Sequence, residues 1–240
     1  MAAALTGQMM QMPLMISSLI VHAARHAAQT EIVSKRVEGD LHRYTWADAE
    51  KRSRQVAQAL ARMGCAPGDR VGTLAWNGYR HLEIYYGSSG SGLVCHTINP
   101  RLFPEQIAWI ANDAEDKVLC FDLTFLPLVE KLAPQLSSVK HFVAMTDRAH
   151  MPPRSSIENL RCYEELVEAE DGRLEWPQFD ENTASSICYT SGTTGHPKGA
   201  VYSHRSTLLH AYGSALPDGM GCSGSCERDR LWANRAAGLP

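Results

Sequence analysis

The polar segment with the clearest chemical potential lies between two short apolar runs, at residues 190–199. Three glycines there permit positive φ angles and close backbone approach: Gly192, Gly195 and Gly199. Four hydroxyl groups add hydrogen-bond donors: Thr190, Ser191, Thr193 and Thr194. Lys198 adds a mobile positive charge directly after the rigid Pro197. Consecutive backbone amides that point into one concavity bind anions, so this composition predicts a polyphosphate-binding loop.

The spacing of this segment differs from two common nucleotide-binding patterns. A P-loop requires Ser or Thr after its lysine, whereas Gly199 follows Lys198. A dinucleotide fingerprint would open directly into a helix, whereas a second apolar run follows here. From the residues alone, a Gly/Thr-rich hairpin loop with an incidental lysine is the open alternative.

The complete string from Tyr189 to Gly199 resembles the signature loop of the AMP-binding (adenylate-forming) superfamily. His196 stands at the position where that motif varies. The string His96–Leu102 is most similar to medium- and long-chain fatty-acyl-CoA ligases (acyl-CoA synthetases). The resemblance implies that the phosphates of ATP contact seven residues of this loop: Thr190, Ser191, Gly192, Thr193, Thr194, Gly195 and Lys198. It assigns no catalytic residue.

Strand-like and helix-like segments alternate ahead of this loop. A hairpin is predicted from residues 31–34 and 43–44, and Thr45–Asp48 resembles a capping box that starts a helix ending at Gly64. Further strands are predicted at 70–76, 93–98, 117–121 and 139–145, and helices at 79–91, 104–112 and 126–136. This alternation predicts an α/β fold with a doubly wound, mostly parallel sheet and flanking helices.

Five acidic side chains lie close together after residue 160: Glu164, Glu165, Glu168, Glu170 and Asp171. They could be paired catalytic carboxylates. We predict instead a solvated connecting face, because few apolar residues remain nearby to form a pocket. We assign no metal site, since the spacing of His204, His210, Cys222 and Cys226 matches no zinc pattern.

Composition and charge indicate the cellular location and the classes of partner. A net charge of −3 gives no electrostatic reason to expect nucleic acid. Seven cysteines without a Cys-x-x-Cys pair favour a reducing, cytoplasmic location. Residues 1–24 lack the basic start of an export signal, and no apolar run approaches membrane-spanning length. The expected partners are small molecules, namely a fatty acid, ATP and coenzyme A, and a homodimer is left open.

The resemblance implies a two-step reaction. A carboxylate attacks the α-phosphate of ATP, giving an acyl-adenylate and pyrophosphate, and the thiol of coenzyme A then displaces AMP. Mg²⁺ would bridge phosphate oxygens. Two alternatives remain: a non-catalytic nucleotide-binding or interaction module, and another adenylate-forming branch such as an aryl-CoA ligase or a peptide-synthetase adenylation domain.

The end of the sequence differs in composition from the rest. We interpret residues 1–218 as a partial AMP-binding N-terminal domain and residues 219–240 as an atypical tail. No Val, Ile or Thr occurs from Leu208 to Pro240, so we expect the tail to be frameshifted or disordered. The family's later motifs for adenine, ribose and adenylation are not recognisable. We therefore expect the 240-residue chain alone to be inactive or nearly so.

Overall fold

A seven-stranded sheet forms the centre of the chain. The structure is a computed structural model that describes residues 7–190 and 196–216. Within those residues the strands are β1 Glu31–Lys35, β2 Leu41–Thr45, β3 Arg70–Leu74, β4 Val94–Thr97, β5 Asp116–Phe121, β6 His141–Ala144, β7 Arg161–Cys162, β8 Ala184–Thr190 and β9 Lys198–Ser203. β1 and β2 form a separate antiparallel hairpin, and the large sheet has the order β7-β6-β5-β3-β4-β8-β9. All of its neighbouring strands are parallel except β8 and β9, which confirms the predicted mostly parallel sheet.

Helices follow most strands. In the same residues the α-helices are α1 Ser17–His26, α2 Trp46–Arg62, α3 Tyr79–Gly90, α4 Pro104–Asp113, α5 Leu126–Leu132, α6 Tyr163–Glu168 and α7 His204–Ala215. The helix predicted over 126–136 is shorter than expected, and a 3₁₀ turn over Ala133–Gln135 follows it. Pro134 explains the difference, because proline has no N–H to continue the α-helical hydrogen bonding.

Helices cover both faces of the large sheet, as the doubly wound prediction requires. On one face, α4 and α5 pack on the strands through a buried cluster that includes Ile107, Ile110, Val129, Leu119 and Phe121. On the other face, α2, α3 and α6 contribute to a second cluster that includes Val56, Leu60, Ile84, Val118 and Val167. Each such fully buried side chain stabilises the fold by about 1.5–3 kcal/mol relative to exposure. The two clusters hold the sheet between two helical layers.

The start of α2 shows how a local sequence signal positions an element. The Asp48 N–H donates to Oγ1 of Thr45 at 3.3 Å, and the Thr45 N–H donates to the Asp48 carboxylate at 2.9 Å. These reciprocal bonds confirm the predicted capping box. After α2, Gly64 has a φ of +83°, a conformation that glycine adopts without strain. The helix therefore begins and ends as the sequence indicates.

The acidic segment around α6 is only partly a solvated face. Glu165, Glu168 and Asp171 are exposed as predicted. Glu164 and Glu170 are not, and for them the prediction of a solvated face is wrong. The Glu164 carboxylate accepts hydrogen bonds from Tyr79 Oη (2.6 Å), Arg80 Nε (2.8 Å) and Arg52 Nη2 (2.7 Å). Glu170 pairs with Arg62 at 2.8 Å.

Opposite charges explain how the half-buried Glu164 carboxylate stays charged. Although burial favours the neutral form of Glu164, Arg52 and the hydrogen bonds from Tyr79 and Arg80 hold the pKa of this carboxyl below its ordinary value. The residue therefore stays charged and ties α6 to α2 and α3. The α6 segment therefore contributes ion pairs to the fold through Glu164 and Glu170.

Two further sequence predictions concern the atypical tail and the absence of a membrane-spanning segment. The atypical tail, residues 219–240, lies outside the described residues. For the residues that are described, none of the helices has both the length and the apolar character needed to cross a bilayer.

Candidate functional site

The predicted phosphate-binding loop joins β8 to β9. Of its seven predicted contact residues, the structure places Thr190 and Lys198, and the other five (Ser191, Gly192, Thr193, Thr194 and Gly195) lie outside the described residues. Thr190 and Lys198 face each other as a cross-strand pair, and both are exposed. Lys198, predicted to lie in the loop, is the first residue of β9. The hairpin thus brings a hydroxyl and a cationic side chain together where the loop begins and ends.

The loop lies at the carboxyl edge of the parallel strands. β8 runs parallel to β4, so the end of β8 points the same way as the carboxyl ends of β3, β4 and β5. The chain leaves β3 towards α3 on one face and leaves β4 towards α4 on the other. In open α/β sheets, ligands bind at this edge, where successive connections diverge to opposite faces. The hairpin therefore lies one strand away from the point where these connections diverge.

Gly199 differs from what the sequence suggested. It does not have a positive φ, and it lies within β9 opposite Tyr189. A Cβ at this position would lie 2.8 Å from Cδ1 of Ile187 and 3.2 Å from Cζ of Tyr189. The side chains of β8 thus pack closely over its backbone, and the end of the Ile187 side chain would have to shift to admit a Cβ. Its function in the hairpin is close packing.

Three aromatic side chains surround the ends of the loop. The rings of His196 and Trp109 are stacked, with centroids 4.6 Å apart and planes 7° apart. Tyr189 meets the same indole edge-on at 6.2 Å and 84°. Its hydroxyl donates to the carboxylate of Asp113 at 2.6 Å. Burial raises the pKa of Tyr189 and the Asp113 charge adds to the increase, so the phenol keeps its proton.

Sequence reasoning missed Trp109 and Asp113. They stand four residues apart on α4, a spacing that places both on one helix face. That spacing could have indicated a common partner for Trp109 and Asp113. Nothing in the sequence identifies that partner as Tyr189, which lies 76 positions beyond Asp113.

A buried histidine–carboxylate pair lies beneath the hairpin. His96 on β4 and Asp116 on β5 are both fully buried, and Nδ1 of His96 lies 2.8 Å from the Asp116 carboxylate. β3 runs between these two strands, and Gly72 of β3 leaves the space for the contact, since a Cβ there would lie 2.6 Å from Oδ2 of Asp116. Burial raises the pKa of Asp116, and the imidazole acts against that increase. The His96 ring also packs 5.1 Å from the ring of Tyr189.

One group of side chains has the arrangement of possible metal ligands: Glu38, Asp147 and His150. However, the Glu38 carboxylate already contacts Arg80 at 2.8 Å and Arg36 at 3.1 Å. These guanidinium groups neutralise the charge that a cation would require, so the described residues here form an ion-pair network.

Solved structures with the same architecture include an anthranilate-CoA ligase in complex with anthranoyl-AMP. The TM-score is 0.73 over 85% of this chain and 38% of that one, with 24% sequence identity. This similarity confirms the fold of a CoA-ligase N-terminal domain. The family model described as "AMP-binding enzyme" matches residues 20–233. The chain therefore belongs to the AMP-binding enzyme family.

Two bacterial relatives are similar to this chain over most of its length. It is 58% identical over 217 residues to a 3-methylmercaptopropionyl-CoA ligase of Ruegeria lacuscaerulensis, covering 90% of this chain and 40% of that protein. It is 51% identical over 219 residues to a medium-chain-fatty-acid–CoA ligase of Ectopseudomonas oleovorans, again covering 90% and 40%. The chain thus spans about two fifths of the length of the curated relatives that it matches.

Proposed function

We propose that the hairpin loop binds the β- and γ-phosphates of ATP in an acid–CoA ligase of the AMP-forming type. The observation that carries this proposal is the pairing of exposed Thr190 and Lys198 at the carboxyl edge of the parallel sheet. The seven predicted contact residues, 190–195 and 198, supply amide, hydroxyl and ammonium donors, which together match the acceptor oxygens of a polyphosphate.

The donors of this loop would act on the leaving group. When a carboxylate attacks the α-phosphate, the negative charge on the departing pyrophosphate grows, and Lys198 with the loop amides would stabilise that charge. Mg²⁺, when bound, would help neutralise the phosphate charge, and we assign none of the described residues to it. The thiol of coenzyme A would then attack the acyl carbon, forming the thioester and releasing AMP.

We propose an aliphatic carboxylic acid as the substrate. The two candidates are a fatty acid, which the string at residues 96–102 predicted, and a short thioether acid such as 3-methylmercaptopropionate. The relative from Ruegeria lacuscaerulensis, at 58% identity, supports the thioether acid, and the relative from Ectopseudomonas oleovorans, at 51%, supports the fatty acid. An aryl-type acid has less support: a trans-cinnamate:CoA ligase of Petunia hybrida is 32% identical, and the anthranilate-CoA ligase at 24% identity shares the fold alone. The cytoplasmic location and a homodimer stay predictions.

The nucleotide proposal is tested by replacing Lys198. A charge-assisted contact is worth about 1.5–3 kcal/mol, so Lys198→Ala should weaken the binding of Mg-ATP and of inorganic tripolyphosphate by about 10- to 150-fold. Isothermal titration calorimetry measures both affinities. Lys140→Ala is the matched control, because Lys140 is equally exposed but precedes β6 at the opposite edge of the sheet. Equal affinity in the parent and both variants would refute the proposal.

Turnover is tested separately. Pyrophosphate exchange on the purified 240-residue chain should stay at background with octanoate, 3-methylmercaptopropionate or benzoate. Residues 1–216 fused to the remaining part of the Ruegeria lacuscaerulensis ligase should exchange pyrophosphate with aliphatic acids, and Lys198→Ala in that fusion should abolish most of the exchange. Activity of the fusion that is indifferent to Lys198 would contradict the assigned role.

A further inference from the structure

The end of the β8–β9 hairpin extends beyond the strand that supports it. The last pair between β4 and β8 is Thr97 with Cys188, so Tyr189 and Thr190 project past the end of β4. Their partners on the other side are Gly199 and Lys198 of β9. The proposed phosphate contacts therefore lie on a projecting two-stranded segment, and an isolated two-stranded segment is only marginally stable.

Helix α4 supplies the missing support. Ile107, Ile110 and Ala111 are buried against the sheet, so this helix is fixed to the core. From its outer side, Trp109 contacts Tyr189 just before the loop and His196 just after it.

The two contacts have the geometries that aromatic rings prefer. His196 lies parallel to the indole and Tyr189 meets it edge-on. Asp113 adds the hydrogen bond from the Tyr189 hydroxyl. One helix thus holds both strands of the projecting segment.

We propose that Trp109 is a positioning residue for the phosphate-binding loop. It joins Tyr189 and His196 into an aromatic brace, the three-ring cluster of Trp109, Tyr189 and His196, that sets where Thr190 and Lys198 stand relative to the sheet. The proposal rests on the proposed binding of ATP phosphates by this loop. His196 occupies a position that varies in the signature motif, so the stacked half of the brace is a property of this particular sequence.

The brace is tested by amide hydrogen exchange of the segment 189–199 without any ligand. An aromatic pair corresponds to about a 2- to 12-fold change in an equilibrium constant. His196→Ala, which removes one aromatic pair, should accelerate exchange of this segment by about that factor, and Trp109→Leu, which removes both, by at least as much. In the double variant, the acceleration of exchange should be smaller than the product of the two single accelerations, because both replacements remove the same stack. His196→Phe should restore slow exchange, since a phenyl ring can stack as well.

Trp76→Leu is the matched control for the loss of an indole. Trp76 is 42% exposed, packs against Phe125 at 5.2 Å and belongs to the same edge of the sheet. It should leave the exchange of segment 189–199 unchanged. If Trp109→Leu fails to fold by near-UV circular dichroism, the His196→Ala and His196→Phe pair decides the question, because His196 is exposed. Equal exchange in parent, His196→Ala and Trp109→Leu would overturn the brace.

Ligand binding then separates this proposal from the function on which it rests. With inorganic tripolyphosphate as the probe, Trp109→Leu should bind about 2- to 12-fold more weakly than Trp76→Leu. If the parent protein binds no tripolyphosphate, the proposed function fails, and the exchange measurement still decides whether the brace exists. If the parent binds and Trp109→Leu binds equally well, Trp109 does not position the loop.

Discussion

Replacing Glu164 by alanine should destabilise the fold far more than replacing its neighbour Glu165. The Glu164 side chain is 12% exposed and accepts from three donors, of which the Arg80 side chain is 5% exposed. Breaking a buried ion pair by removing one partner costs about 3–5 kcal/mol, since the opposite charge stays buried. The charge left behind therefore determines the size of the effect.

The remaining partners place the expected cost at the lower end of that range. After the change, Arg80 still contacts Glu38 at 2.8 Å, and Arg52 still contacts Glu83 at 2.8 Å. Neither guanidinium loses every carboxylate, so we expect a loss of about 3 kcal/mol in the free energy of unfolding. For a chain of this size the midpoint of thermal unfolding should fall by roughly 6–12 °C.

Urea unfolding followed by circular dichroism measures this difference, with Glu165→Ala as the matched control on the same helix. Glu165 is 50% exposed, and its partner Arg148, at 3.3 Å, is 88% exposed. Such a surface pair contributes about 0–1 kcal/mol. A difference of less than about 1 kcal/mol between the two variants would show that the Glu164 network is not an energetic part of the fold.

Two further stability predictions concern the interior. Gly72→Ala should cost about 1–3 kcal/mol in urea unfolding, because the new Cβ would lie 2.6 Å from Asp116 Oδ2. Gly7→Ala should change stability by about 0.5 kcal/mol or less, because Gly7 is exposed outside any helix or strand and its Cβ would meet nothing; equal effects would contradict the packing argument. Burial lowers the pKa of His204 from 6.5 to about 4, so its contribution to stability is present above pH 6.5 and is lost as the pH falls towards 4. His204→Asn keeps an acceptor for the Ile16 N–H but does not titrate; its urea midpoint should therefore fall less than the parent's between pH 7 and pH 5, and an identical fall would refute the assignment.

Elements set by neighbouring residues were predictable. The capping box at Thr45 and Asp48, the stop at Gly64 and the proline at the first position of α4 depend on contacts within one or two helical turns. Because strands and helices alternate, the mostly parallel α/β sheet could also be predicted. The signature loop was recognised for the same reason, since its residues are contiguous in the sequence.

Contacts between distant segments were not predictable. The sequence predicts a solvated Glu164 because few apolar residues lie nearby in the chain, but its partners Arg52 and Arg80 stand 112 and 84 positions away. Whether such a carboxylate is exposed depends on which cations the fold brings to it. The aromatic partner of Tyr189 was missed for the same reason: α4 ends 76 positions earlier, and only the strand order brings Trp109 beside it.

The two glycines of the site region show why strand order carries this information. A glycine inside a strand has no turn to explain it, so it indicates that another group approaches the backbone closely. For Gly199 that group is on the adjacent strand of the hairpin, and for Gly72 it is the carboxylate of Asp116, which reaches His96 across β3. Chain order alone would place β3 beside β4 but would not place β5 on its other side. Once the order β5-β3-β4 is known, the absence of a side chain at position 72 explains how a histidine and a carboxylate two strands apart come into contact beneath the loop.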